Sequence, residues 1–219
     1  MGSTGPAITL YTNHRCPWAH RAHIVIKELG LPYDEVIIDL DKPREPWYLE
    51  VNPRGLVPSI KYNNQILTES SVVSRFLADA YPSHLVPNTG DADAAFKRAR
   101  INFFVDTWFD KINPFLVKDY LAKLKKEIEP LLQDAAPFFG GSGKITLAEA
   151  LTAPFVARLY SFAGNGLLPG SVLEGFESQT PKFDEWAKKV VAQESVNYIY
   201  DEQAIIAGTK KRLGIGAKV

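Results

Sequence analysis

The sequence has 219 residues, of which 46% are hydrophobic and 23% are charged, as is typical of a folded globular protein. Lys and Arg together number 25, as do Asp and Glu, so the formal net charge is zero, whereas a general binder of nucleic acids or anionic membranes needs an excess of positive charge. The single cysteine excludes an intrachain disulfide and a metal site built from several cysteines.

The N-terminal residues show no secretory signal, and no apolar run approaches the roughly 18 residues that span a bilayer. A lone cysteine also fits a reducing compartment. We therefore expect a cytoplasmic protein that does not associate with membranes.

The first third of the sequence alternates between strand-like and helix-like segments. The apolar run Ile8 to Tyr11 predicts a strand, and Tyr33 to Ile38 predicts a second. Between them, apolar residues at helical spacing predict a helix from Pro17 to Leu29, which Gly30 ends. A β-α-β unit of this kind has parallel strands and a right-handed crossover.

A predicted hairpin and helix follow this unit. The turn-forming pair Asn63-Asn64 lies between the short apolar runs Ser59 to Tyr62 and Gln65 to Leu67, which favours two antiparallel strands. Residues Glu69 to Tyr81 then have the apolar spacing of a helix.

The rest of the sequence predicts helices only. Residues 83–93 are rich in turn formers and indicate a linker. Amphipathic stretches follow at 94–112 and 115–132, then a capping box at Thr146 and Glu149 that opens a helix through Tyr160, and a proline-initiated helix at 182–191. We therefore predict an α/β domain (1–82), a linker (83–93) and an all-helical domain (94–219).

The lone cysteine, Cys16, lies between the end of the first strand and a helix whose first residue is Pro17. There the thiol meets free backbone N–H groups and the positive end of the helix dipole, which favour a thiolate. Arg15 and Arg21 add positive charge if they point toward it. Position alone also allows an unreactive, half-buried thiol.

Two further motifs indicate a ligand site. Pro58 stands before a predicted strand, which indicates a special geometry of the Val57-Pro58 bond, including a cis peptide, or else a plain turn. Glu69 and Ser70 open the next helix, where they either cap it or bind a ligand that carries an amine and a carboxylate.

A strand followed by Cys-Pro at a helix start, then Val-Pro before a strand, then Glu-Ser at a helix start, resembles the glutathione transferases. The resemblance implies their fold, an α/β thioredoxin-like N-terminal domain that binds glutathione plus an all-α C-terminal domain, and it covers nearly the whole sequence. Cys-Pro at the catalytic position, together with NPRGLVP (Asn52 to Pro58), is similar to the omega class.

The resemblance implies a role for each matched residue. Cys16 would be catalytic, and the backbone of Val57 would pair with the cysteinyl part of glutathione. Glu69 and Ser70 would bind the γ-glutamyl end.

One binding role stays open between two residues. Omega members use a lysine before the NP-x-G-L-V-P stretch to hold the glycine carboxylate. Here Arg44 stands at that spacing and Lys42 lies two residues earlier, so either is a candidate. Glu149 stands where the capping box of the family usually has aspartate, and its longer side chain accepts the same backbone bond.

Three functions fit these observations. The leading hypothesis is a glutathione-dependent thiol transferase or reductase that forms a mixed disulfide between Cys16 and glutathione. The second is conjugation of glutathione to a small electrophile, which includes a biosynthetic intermediate, with Tyr11, Thr12 or Asn13 helping to activate glutathione. The third is a non-enzymatic glutathione-binding or regulatory module.

The second substrate, a small hydrophobic or glutathionylated molecule, should lie between the two domains. Phe104, Trp108 and Phe115 are candidates to line its pocket, and core packing is the alternative for each. The resemblance also implies a homodimer and glutathione as co-substrate.

No metal site is expected. The four histidines show no convincing ligand spacing, and although His20 and His23 share one helix face, no third ligand accompanies them in the sequence. We expect the side chains of these histidines, His14, His20, His23 and His84, on the solvated surface.

Overall fold

A computed structural model describes residues 7–113 and 119–215. Four strands form one mixed sheet, β1 (Ile8–Thr12), β2 (Asp34–Ile37), β3 (Ser59–Tyr62) and β4 (Gln65–Thr68). Their spatial order is β2-β1-β3-β4, with β2 parallel to β1 and the other two pairs antiparallel. The predicted β-α-β unit and the hairpin at Asn63-Asn64 are both present.

Three helices accompany the sheet: α1 (Pro17–Leu29), α2 (Pro46–Val51) and α3 (Ser70–Ala80). Helix α1 ends where predicted, because Gly30 takes the left-handed conformation (φ 61°) and its N–H donates to the carbonyls of Ile26 and Lys27. Helices α1 and α3 pack against each other, and α1 also packs against a helix of the C-terminal part, α6 (Leu147–Gly164).

The C-terminal part is helical. It begins with α4 (Ala94–Thr107), which continues as a π-helical turn (Trp108–Ile112). The next helical elements are α5 (Tyr120–Lys123), a π-helical turn (Leu124–Ile128) and a 3₁₀ turn (Glu129–Leu132). Another 3₁₀ turn follows at Phe139–Gly141. The remaining helices are α6 (Leu147–Gly164), α7 (Ser171–Gln179), α8 (Pro181–Val191), α9 (Glu194–Asn197) and α10 (Glu202–Arg212).

The capping box predicted for α6 is present, and it is part of a buried network. Glu149 accepts hydrogen bonds from the backbone N–H of Thr146 (2.8 Å) and from its hydroxyl (2.7 Å). Its other oxygen accepts from the Phe139 N–H (2.8 Å) and the Trp186 indole (2.7 Å). The carboxylate therefore joins α6, α8 and the Phe139 turn.

The structure differs from the sequence prediction in several places. Helices α7, α9 and α10 were not predicted, and the stretch predicted as one helix from 115 to 132 consists, from Tyr120 onward, of three short turns of different helical type. The division into two domains joined by residues 83–93 stays a prediction. One hydrophobic core extends from the sheet through α1 and α3 to α6 and α8. Among the described residues, no helix combines the length and apolar character needed to cross a bilayer.

Candidate functional site

Cys16 lies at the N-cap of α1. Its backbone is extended (φ −82°, ψ 119°), Pro17 is the first helical residue, and the Cys16 N–H donates to the Asn13 carbonyl at 3.0 Å. The thiol is partly exposed and its Sγ atom lies 3.9 Å from the Val57 carbonyl oxygen. The predicted placement at a helix start is thus observed, where the dipole favours negative charge.

The loop that faces the thiol is held by side-chain hydrogen bonds. The Val57-Pro58 peptide is cis, one of the geometries that the sequence predicted. Asn52 donates to the Leu56 carbonyl (2.9 Å) and to the Ser59 hydroxyl (3.1 Å), and the buried Tyr48 hydroxyl donates to the same Leu56 carbonyl (2.6 Å). These contacts fix the backbone on both sides of Val57.

The two candidates for the glycine carboxylate differ in their surroundings. The Arg44 guanidinium donates to the carbonyls of Gly55 (2.8 Å), Asp39 (2.7 Å) and Lys42 (2.7 Å). Its side chain also packs on Gly55, where an added Cβ would lie 2.8 Å from Arg44 Cγ. Lys42 is exposed, and its ammonium lies 3.3 Å from the Asp39 carboxylate. Arg44 therefore braces the loop, while the Lys42 ammonium is accessible.

Glu69 and Ser70 stand at the start of α3 in different environments. Glu69 has a positive φ of 71°, is exposed, and pairs with Arg54. Ser70 is buried, and its hydroxyl accepts a hydrogen bond from Arg21 at 2.9 Å. The strained backbone of Glu69 turns the chain into the helix and leaves its carboxylate at the surface.

Arg21 is a buried cation that links both parts of the protein. Its Nε donates to the Leu151 carbonyl of α6 at 2.8 Å, and its guanidinium lies 4.2 Å from the centre of the Phe109 ring and 5.0 Å from that of Trp18. Burial lowers its pKa to about 9, so it is cationic at neutral pH. It points to Ser70 rather than to Cys16, and sequence alone could not give that direction.

A cavity of about 690 Å³ opens beside Cys16 between α1 and the helices α6 and α10. Arg158 of α6 lies in its wall, donating to the Pro154 carbonyl (2.7 Å) and the Arg15 carbonyl (3.0 Å). Burial lowers the Arg158 pKa to about 10, so its positive charge faces the site at neutral pH. The cavity is otherwise apolar in large part, and its lining includes Trp18, Leu40, Asp41, Phe155, Phe162, Ile205 and Arg212.

Two residues predicted for the second-substrate pocket lie in the core instead, which corrects that assignment. Phe104 is fully buried and packs on Phe139 and Trp186, while Trp108 stacks on Phe183. Their helical spacing reflects core packing, the alternative considered above. Phe115 lies outside the described residues.

The side chains considered as activators of glutathione in conjugation have other partners. The Thr12 hydroxyl is bonded to His23 (2.8 Å) and the Asn13 amide donates to the Ile38 carbonyl (2.9 Å). Tyr11 packs its ring against Trp47. None of these three residues lines the cavity described above, whereas Cys16 does.

The expectation that the histidines are solvated is wrong for His20 and His23, because both side chains are fully buried. His20 bonds to the Val196 carbonyl (2.9 Å), and burial holds its pKa well below the usual value. Burial also lowers the pKa of His23 to about 3. A third group accompanies His23, since His14 and Glu35 converge on it. The sequence could not show this, because Glu35 lies on β2, whereas His23 lies on α1 and His14 in the turn before it.

Comparisons with known proteins agree with this geometry. Residues 15–80 match the family model described as glutathione S-transferase, N-terminal domain. The mouse protein glutathione S-transferase omega-1 is 29% identical over 197 residues, which cover 82% of this chain and 74% of the relative.

Solved structures extend the similarity to the C-terminal part. Glutathione transferase Omega 2C from Trametes versicolor superposes with a TM-score of 0.83 at 27% identity, covering 95% of this chain and 99% of that one. A rice protein, GST1, solved in complex with glutathione, superposes with a TM-score of 0.78 at 22% identity over 99% of this chain and 100% of its own.

Proposed function

Since the chain belongs to the glutathione transferase family and is omega-like, we propose that it is a glutathione-dependent thiol transferase that acts through Cys16. The observation that carries this proposal is the position of the only cysteine. Its thiol stands at the N-terminus of α1, opposite the Val57 carbonyl, and opens into a cavity with the cationic Arg158 in its wall. A thiolate attacks disulfides, and both the helix dipole and this cation favour negative charge there.

The proposed reaction has two exchange steps. The Cys16 thiolate attacks the glutathione sulfur of a glutathionylated substrate, forming a Cys16–glutathione disulfide and releasing the substrate thiolate. A second glutathione then attacks that disulfide, forming oxidised glutathione and restoring the Cys16 thiolate. The proton of the second glutathione goes to the released thiol. Because the chain has no second cysteine, the resolving thiol must come from glutathione.

Glutathione is the co-substrate that the neighbourhood of Cys16 suits. The rice relative is solved in complex with glutathione, and here the Val57 backbone is held firmly opposite the thiol. We assign the γ-glutamyl end to Glu69 and Ser70 at the start of α3. The glycine carboxylate falls to Lys42, because the Arg44 guanidinium already binds three carbonyls of its own loop.

The second substrate would occupy the cavity beside Cys16. Trp18 and Phe155 are in edge contact with ring centres 4.8 Å apart, and both line this cavity. Arg158, Lys211 and Arg212 add positive charge, whereas the one acidic residue in the described part of the lining, Asp41, pairs with Arg15. An apolar or aromatic group that carries a negative charge therefore fits this lining best.

The intact mass of the protein after incubation with oxidised glutathione tests the proposal. Wild type should gain one glutathione, which reduced glutathione removes, whereas Cys16→Ser should gain none. Serine preserves the size and the helix-capping position, so a folded Cys16→Ser protein is a matched control. Thiol transfer from a small glutathionylated thiol should disappear with the same substitution.

Two outcomes would contradict the proposal. One is full thiol transfer by Cys16→Ser, and the other is a wild-type protein that gains no glutathione. If Cys16→Ser still joined glutathione to small electrophiles, conjugation would be the better description. If glutathione did not bind at millimolar concentration, a non-enzymatic regulatory module would be the better description.

We also propose that the protein acts as a cytoplasmic homodimer. The family resemblance supports the dimer, and the lone cysteine suits a reducing compartment. Sedimentation of the purified protein tests the oligomeric state.

A further inference from the structure

Three potential ligand atoms meet near the turn that precedes Cys16, and none of the roles assigned above uses them. His14 precedes Cys16 by two residues, His23 lies on the buried face of α1, and Glu35 lies on β2. One nitrogen from each histidine and a carboxylate oxygen all lie within 4.8 Å of one another. His14 Nε2 is 2.7 Å from Glu35 Oε1, and His23 Nε2 is 3.4 Å from the same oxygen.

The hydrogen bonds around His23 orient its ring. The Tyr198 hydroxyl donates its one hydrogen to the His23 carbonyl at 3.0 Å, so its oxygen is free to accept from His23 Nδ1, also at 3.0 Å. The Tyr33 hydroxyl lies 3.3 Å from the same nitrogen. A ring proton on Nδ1 can be shared between these two phenol oxygens, which leaves the lone pair on Nε2. A metal-binding histidine typically donates its other ring N–H in this way, which fixes the ring and its tautomer.

With this tautomer, His23 Nε2 and Glu35 Oε1 are two acceptors 3.4 Å apart. A cation between them turns this repulsion into attraction. Ligand atoms in a tetrahedral zinc site lie roughly 2.0–2.2 Å from the metal, hence roughly 3.3–3.6 Å from one another. The His23–Glu35 separation already fits, and the His14–Glu35 separation needs to open by only about 0.7 Å.

The exposure of the three groups also suits a bound ion. His23 is buried, while the side chains of His14 and Glu35 are 40% and 30% exposed. The ion would thus have a rigid inner ligand and two adjustable outer ones, with an open side for water. A metal at His23 Nε2 would replace the hydrogen bond between that nitrogen and the Thr12 hydroxyl.

We propose that His14, His23 and Glu35 form a divalent metal site, best suited to zinc, that ties the turn before Cys16 to α1 and β2. Two imidazoles, one carboxylate and an open position form a ligand set that zinc accepts. The assignment revises the expectation from sequence that no metal site exists. It does not depend on the proposed reaction at Cys16, because none of its ligands takes part in that reaction.

Zinc titration of the untagged full-length protein against a chromophoric competitor tests the site. All titrations are made in the Cys16→Ser background as well, because a cysteine thiolate also binds zinc. One equivalent of zinc should bind in both backgrounds. His14→Gln and Glu35→Gln should each weaken binding at least about tenfold, the smallest loss usual even for an outer partner of a metal ligand.

His84→Gln is the matched control. His84 pairs with Glu28 at 2.8 Å, in the same way as His14 pairs with Glu35, but in the described part of the chain that pair is not joined by a third ligand. The His84→Gln substitution should leave the affinity for zinc unchanged. The absorption of bound Co²⁺ gives a second readout, since its spectrum should show nitrogen and oxygen ligands without sulfur.

Either of two results would overturn the site. In the first, the protein binds no stoichiometric zinc. In the second, His14→Gln and Glu35→Gln bind as tightly as His84→Gln, which would mean that zinc binds elsewhere. Both substituted residues are at the surface, so circular dichroism suffices to verify that the variants are folded.

Discussion

Acidification should destabilise this fold through the buried imidazole of His20. His20 lies one turn after Cys16, and its backbone N–H donates to the Cys16 carbonyl at 3.1 Å. The ring is fully buried, stacked on Tyr200 and bonded to the Val196 carbonyl. Protonation would add a charge to a ring that is not exposed to solvent.

The groups that face His20 add to this effect. Burial is the main reason that its pKa lies well below the usual value, and the charges of Arg158, His23 and His14 lower it further, while the Val196 carbonyl acts in the opposite direction. In the unfolded chain the imidazole titrates near its ordinary pKa of about 6.5. Below that pH the unfolded chain binds a proton that the folded chain does not, so falling pH favours unfolding.

The magnitude follows from the linkage between proton binding and unfolding. With His20 neutral in the folded chain and the pH at 5, about 1.5 units below the ordinary imidazole pKa, the free energy of unfolding is about 2 kcal/mol lower than at pH 8. His23, whose folded pKa is about 3, adds a similar amount. These two histidines together should therefore account for a loss of about 4 kcal/mol, a large fraction of the roughly 5–15 kcal/mol of a typical domain.

Urea unfolding followed by tryptophan fluorescence, in buffer with chelator, measures this loss for wild type and His20→Gln. Glutamine can donate to the Val196 carbonyl but carries no titratable proton. The free energy of unfolding of the variant minus that of wild type should rise by about 2 kcal/mol between about pH 8 and about pH 5. An effect that stays constant with pH would refute the reasoning, because it would mean that folded His20 takes up a proton readily.

Three further predictions concern the site and its support. Lys42→Gln should raise KM for glutathione without changing the free energy of unfolding, whereas Arg44→Gln should lower that free energy by about 2 kcal/mol because three loop carbonyls lose their donor. Steady-state kinetics and urea unfolding measure the two effects. The reverse pattern would assign the glycine carboxylate to Arg44 and the support of the loop to Lys42. Glu149→Gln should cost about 3 kcal/mol in urea unfolding, since an amide can accept from only two of the four buried donors, and a loss below about 1 kcal/mol would contradict this. Arg158→Gln should slow formation of the Cys16–glutathione disulfide several-fold in timed intact-mass measurements, and an unchanged rate would show that its charge does not act on the thiol.

The features predicted correctly from the sequence are those encoded by a few neighbouring residues. The Cys16-Pro17 helix start, the turn at Asn63-Asn64 and the Thr146 capping box each depend on local backbone geometry and local hydrogen bonds. These signals are complete within a short window, so a single sequence is enough to read them.

The features that the sequence did not reveal depend on distant parts of the chain. Arg21 and Arg158 are polar residues on helices, and nothing near them in sequence shows that aromatic rings and carbonyls of other elements will enclose them. Phe104 and Trp108 show the converse, because an apolar stripe does not indicate whether it meets a cavity or the core. His23 became a candidate ligand only once β2 brought Glu35 beside it.

The contacts of α1 give the C-terminal part a second role besides forming the cavity wall. Arg21 of this helix donates to the Leu151 carbonyl of α6, and His20 bonds to the Val196 carbonyl of α9. Without those carbonyls, a buried cation and a buried imidazole would lose their partners, which costs far more than losing an exposed contact. Helix α1, whose N-cap is Cys16, is therefore held in place by the contacts of both Arg21 and His20. The geometry at the thiol depends on residues more than a hundred positions away in the chain.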